Sequence, residues 1–136
     1  MSHRRCMAII PLVWLVISSG CGTSEPEPEP EEFLAYALTL QVPDSVDAEH
    51  TIDAFVSGIA GCCCDRFARM ESEMVGSKWI LRPIGLSGTP PKGTHCTREL
   101  KYFETTVALE PAGSGWAYVE VQSSGPILLD SCYVRP

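Results

Sequence analysis

From Leu34 onward the chain is written in a two-residue rhythm, and that rhythm constrains its fold more than any motif does. Leu34, Tyr36, Leu38 and Leu40 alternate with Ala35, Ala37, Thr39 and Gln41. Successive side chains of a strand point to opposite faces, so this run predicts a strand with one buried face. Pro43 and Asp44 end it. Ile52, Ala54 and Val56 then alternate with Asp53, Phe55 and Ser57, until Gly58 and Gly61 break the second strand. Asp65 to Met74 fits two periods, because Phe67, Met70 and Met74 also recur at helical spacing. Reading it as a strand lets Val75-Gly76-Ser77 turn the chain into the β-prone Trp79-Ile80-Leu81. Gly85 to Thr94 is a Gly- and Pro-rich loop leading to His95 and Cys96. Phe103, Thr105, Val107 and Leu109 form one face of a late strand, and Ala117, Val119 and Val121 follow after a turn at Pro111 to Gly115. A last strand runs from Ile127 to about Val134. Seven short strands at near-even spacing predict an all-β protein, a β-sandwich.

The strands fall between residues 33 and 136, enough chain for one compact unit with one core. That region holds 12 acidic and eight basic side chains, within a whole-chain net charge of −7. Binding to nucleic acid is disfavoured, since phosphate neutralisation needs a basic surface. Mild acidity serves solubility.

The chain before the strands is of another kind. Arg4 and Arg5 precede an apolar run from Met7 to Ile17, which ends in Ser18-Ser19-Gly20-Cys21. Eleven residues fall short of the roughly 20 that span a bilayer as a helix, so the run is a targeting signal rather than a permanent anchor. Small residues followed at once by cysteine resemble the lipobox of bacterial lipoproteins. The resemblance implies that residues 1–20 are removed and that the Cys21 sulfur carries diacylglycerol, leaving the protein on its membrane through two acyl chains. Gly22 after the cysteine favours the outer membrane, where the cell has one. The competing reading is ordinary signal-peptide cleavage and release. In Gly22 to Glu32, Pro26, Pro28 and Pro30 alternate with glutamates, so residues 21–32 read as a lipidated cysteine with a stiff acidic tether. At about 3.1 Å per residue the tether reaches roughly 30 Å.

Three segments carry a second resemblance: Ile52-x-Ala54-x-Val56-x-Gly58 followed by cysteine, Cys96-Thr97-Arg98-Glu99-Leu100-x-x-Phe103-Glu104-Thr105-Thr106-Val107, and Gly115-x-x-Tyr118-Val119-x-Val121. From Ile52 to Val121 the chain resembles the small immunoglobulin-like domains of exported bacterial proteins. The resemblance implies an immunoglobulin-like β-sandwich in an exported setting, and no activity.

Cysteine carries what chemistry there is. Cys6 leaves with the leader and Cys21 is the lipid site, so Cys62, Cys63, Cys64, Cys96 and Cys132 remain as candidates for disulfides in an oxidising compartment. Five is odd, so at least one thiol stays unpaired. Neighbouring cysteines seldom bond each other, because the eight-membered ring strains the peptide. On a strand, Cys62 and Cys64 would face one side and Cys63 the other. One of the three is expected to bond Cys96, closing a loop of about 33 residues worth roughly 3–4 kcal/mol. A second is expected to reach Cys132. The rival is a soft-metal site of Cys62, Cys64, Cys96 and His95, or a thiol redox role. A thiol count separates them: one free thiol among the five fits cystines, whereas three or more point to metal or redox chemistry.

Catalytic groupings are poor. His50 and His95 have no nucleophile motif beside them, Glu71 and Glu73 read as a solvated face, and no glycine-rich phosphate cradle occurs. The chain is therefore read as non-enzymatic, with no cofactor and no metal. Trp79, Trp116, Tyr102 and Phe55 offer a binding hint, with Trp79 and Phe103 assigned to the core. The sequence thus points to a membrane-anchored envelope lipoprotein, a structural or interaction module for an envelope protein or glycan. Its alternatives are a soft-metal or thiol-redox protein and a glycan- or peptide-binding lipoprotein.

Overall fold

The computed structural model describes residues 26–136, so the leader, Cys6, Cys21 and the first tether residues lie outside the described residues. Two β-sheets face each other, and no described residue is helical. The strands are β1 (Glu32–Leu34), β2 (Tyr36–Gln41), β3 (Ser45–Asp47), β4 (Ile52–Cys62), β5 (Arg66–Val75), β6 (Lys78–Leu86), β7 (Leu100–Leu109), β8 (Gly115–Val121) and β9 (Leu128–Arg135). The smaller sheet is antiparallel in the order β2-β4-β7. In the larger sheet β5 covers one edge of β6 along its length. The other edge is shared: Lys78–Leu81 pair with β8 in parallel, and Ile84–Leu86 pair with β1. Pro83 stands in the gap between those two partners, where a missing N–H costs nothing, and its carbonyl accepts from Ala35 N at 2.9 Å. β9 then pairs with β8, and β3 with β9.

Nine strands replace the seven expected, because the first expected strand divides at Ala35 into β1 and β2, one in each sheet, and because Ser45–Asp47 adds a short edge strand. The buried face is the one that carries the small residues. Ala35 and Ala37 are buried, while Leu34, Tyr36 and Leu38 are exposed. The reason lies one strand away. Ala37 pairs with Gly58, which pairs with Phe103, and the Phe103 ring leans over the glycine. A Cβ on Gly58 would lie 2.7 Å from that ring, so the row accommodates one large residue beside two small ones. A register shift between Ala37 and Thr39 then restores Leu40 to the inner face. Gly58 and Gly61 do not end β4 as expected. Gly58 makes room for a ring, and Gly61 carries a bulge at φ 135° that any side chain would oppose.

In β4, β7, β8 and β9 the alternation holds. Ile52, Ala54, Val56 and Leu109 from the smaller sheet meet Leu81, Val119, Val121 and Val134 from the larger one, all buried. Phe67 of β5 stacks on Phe103 of β7 with ring centroids 4.5 Å apart, joining the sheets. Trp79 is half-buried against the core. Outside, Glu71 and Glu73 are exposed and paired with Arg69 and Arg82, and Arg69 also clamps Glu32 at the root of the tether.

Candidate functional site

Two places carry unusual chemistry, at opposite ends of the sandwich. The first is where the tether joins. Cys62 is the last residue of β4 and pairs with Leu100, the first of β7. Cys63 and Cys64 do not continue the strand. They form a turn closed by Asp65 N donating to Cys62 O at 2.7 Å, so the expected split of sulfurs to opposite faces is replaced by convergence. The Asp65 carboxylate fastens this turn: Oδ2 accepts from Cys62 N at 3.0 Å, and Oδ1 accepts from Gly88 N at 3.2 Å. Gly88 has to be glycine, because a Cβ there would fall on the Cys64 carbonyl.

Cys63 and Cys96 form a disulfide across this turn. A free thiol stands at each end of the bond: Cys62 Sγ is 3.8 Å from Cys96 Sγ, and Cys64 Sγ is 3.3 Å from Cys63 Sγ. Cys62 Sγ also lies 3.7 Å from the Asp65 carboxylate, which accepts from the thiol. Among the described residues the sulfurs of Cys63, Cys64 and Cys96 lie within 4.8 Å of one another, without His95, and with Cys63 and Cys96 bonded only Cys64 of the three is a free thiol. Cys132 is not brought to the cluster. It is buried on the inner face of β9 as a free thiol. Burial above all, with the charges of Asp130 and Asp44, pushes that thiol's pKa up. Among the described residues there are thus three free thiols and one disulfide.

The second place is the far end. Trp116 of β8 pairs with Tyr133 of β9 on the outer face, and the rings meet edge to face at 5.3 Å. Trp116 is 57% exposed, with Tyr118 and Leu129 also open to solvent on that face. Beside them a recess of about 180 Å³ is lined by Met74, Ser77, Trp79, Gly113, Trp116 and Ala117. The Trp79 indole N–H is buried and has no hydrogen-bond acceptor. Of the aromatic residues named from sequence, Tyr102 and Phe55 belong to the other sheet and do not join this patch. Tyr118, Tyr133 and Leu129 were not singled out, although the alternation that buries Val119 and Val121 already sends Tyr118 outward.

Compared with known proteins, the chain matches no family model, no curated protein and no solved structure. The site therefore stands on its own geometry.

Proposed function

We propose that this protein is a bacterial envelope lipoprotein, anchored through diacylglycerol on Cys21, whose immunoglobulin-like β-sandwich displays a protein-binding surface away from the membrane. The observation that carries the reading is the placement of the aromatic patch. The tether enters at Glu32, opposite Leu86 at the end of β6, whereas Trp116 lies past Lys78 at its start. Eight residue steps from Leu86 to Lys78 and two more from Tyr118 to Trp116, at about 3.3 Å each, put Trp116 roughly 33 Å from the tether root. An exposed aromatic pair beside a recess sized for one side chain is the usual anchor of a protein contact. Division of the first strand between two sheets and the Cys63–Cys96 bond support the immunoglobulin-like reading.

Two measurements test the proposal. Cys21→Ala should abolish the acylated mature form. Unchanged membrane partitioning together with unchanged mass would remove the anchor. A photo-crosslinker at position 116 should capture one discrete envelope protein in cells, and the same group at Asp53 on the opposite sheet should not. Equal capture from both positions would remove the surface.

A further inference from the structure

We propose that the sulfur cluster is a thiol–disulfide exchange centre in which Cys96 moves its bond between Cys63 and Cys62, opening the disulfide to small or protein thiols at the tether end. Three observations meet here. Cys62 Sγ lies 3.8 Å from Cys96 Sγ, which is van der Waals contact between a nucleophile and the atom it would attack. The Asp65 carboxylate holds the Cys62 thiol and its backbone together, so the sulfur is positioned rather than free to rotate away. Cys62 and Cys96 are exposed, whereas Cys63 and Cys64 are half-buried.

The step balances without an oxidant. The Cys62 thiol loses its proton to water, and the thiolate attacks Cys96 Sγ. A Cys62–Cys96 bond forms, the Cys63–Cys96 bond breaks, and Cys63 leaves as a thiolate that takes up a proton. One disulfide and two thiols are present before and after. Cys64, 3.3 Å from Cys63, lies beside the departing sulfur and holds it in a polarizable setting. The new bond joins two exposed residues, so an external thiolate can attack it at Cys62. That attack gives a mixed disulfide on Cys62 and releases Cys96 as a thiol after protonation.

Brief alkylation of native, unreduced protein with iodoacetamide, followed by fragmentation mass spectrometry, tests the exchange. Wild type should carry label on Cys62 in some molecules and on Cys63 in others, and Cys62→Ser should carry none on Cys63. Label confined to a single one of these two positions in wild type, whichever it is, overturns the proposal. So does protein isolated with zinc or copper bound and no disulfide. A second variant keeps the idea falsifiable: Cys63→Ser should retain a disulfide to Cys96, now from Cys62, and a free Cys96 thiol there would refute it. Anaerobic reduced glutathione serves as the external thiol. Its adduct should form at least several-fold faster on wild type than on Cys62→Ser, and equal rates would remove the role toward external thiols.

Discussion

Cys96→Ser is the perturbation whose size the structure fixes best. The bond it removes spans 33 residues, and the loop-closure relation gives about 12.5 cal/mol/K, or about 3.7 kcal/mol at 25 °C. This applies in full only where the native state gains little freedom on losing the bond. Here it gains little. Cys96 stands four residues before Leu100, which is already paired with Cys62, so the ladder between β4 and β7 holds Cys96 near its partner with or without the bond. The unfolded chain, in contrast, is released completely. No other cysteine can take over, because a bond within the triplet closes no loop. Urea unfolding without reductant should therefore show Cys96→Ser less stable by about 3–4 kcal/mol. Reduced wild type should superimpose on the variant. For a domain of about this length the loss lowers Tm by roughly 15 °C or more. A difference under about 1 kcal/mol would refute the reasoning, and would mean that residues 87–99 detach from the folded domain once the bond is gone.

Three further outcomes follow from the same geometry. Cys132 should resist iodoacetamide in native protein at about pH 8 and react only on unfolding, because burial and two nearby carboxylates oppose its thiolate; rapid native labelling would contradict the buried site. Gly58→Ala should destabilise by at least about 2 kcal/mol, since its Cβ meets the Phe103 ring and the Tyr36 carbonyl, and Phe103→Leu should recover only the part due to the ring. Lys78 and Gln122 hold the Glu120 carboxyl below its ordinary pKa through hydrogen bonds of 2.8 and 2.7 Å. A depressed carboxylate contributes stability above its unfolded pKa and loses it as pH falls through the folded value. Denaturation from about pH 5 to about pH 3 should thus be steeper for wild type than for Lys78→Met, and parallel curves would show that the pair adds nothing.

The sheets were legible wherever an alternating run kept its register over its whole length. β8 is the clear case: Ala117, Val119 and Val121 are inside because nothing interrupts their period. The first strand failed for a reason no single strand can show. Which face of 34–41 turns inward depends on the volume of Phe103, more than sixty residues away, and on the shift between Ala37 and Thr39. Packing against the ring selects the alanines over Leu34, Tyr36 and Leu38. The cysteine partner of Cys96 was narrowed to the triplet but not to Cys63. That choice hangs on the turn made by Asp65, whose side chain reads from sequence as one more surface acid.

Strand direction, more than any one residue, explains why the two chemistries are separated. β4 runs toward the tether and ends in Cys62, and β7 starts beside it, so any cysteine next to that junction is gathered at the tether end. β8 runs parallel to β6, which places its first residues, including Trp116, at the far end with the last residues of β9. On this layout Trp116→Ala should leave Cys62 alkylation unchanged, and Cys62→Ser should leave cross-linking from position 116 unchanged. Sites this far apart with no shared partner are independent in energy. A change in either cross-measurement would mean that the ends communicate through β4 and β6, and the two readings would then have to be argued as one mechanism.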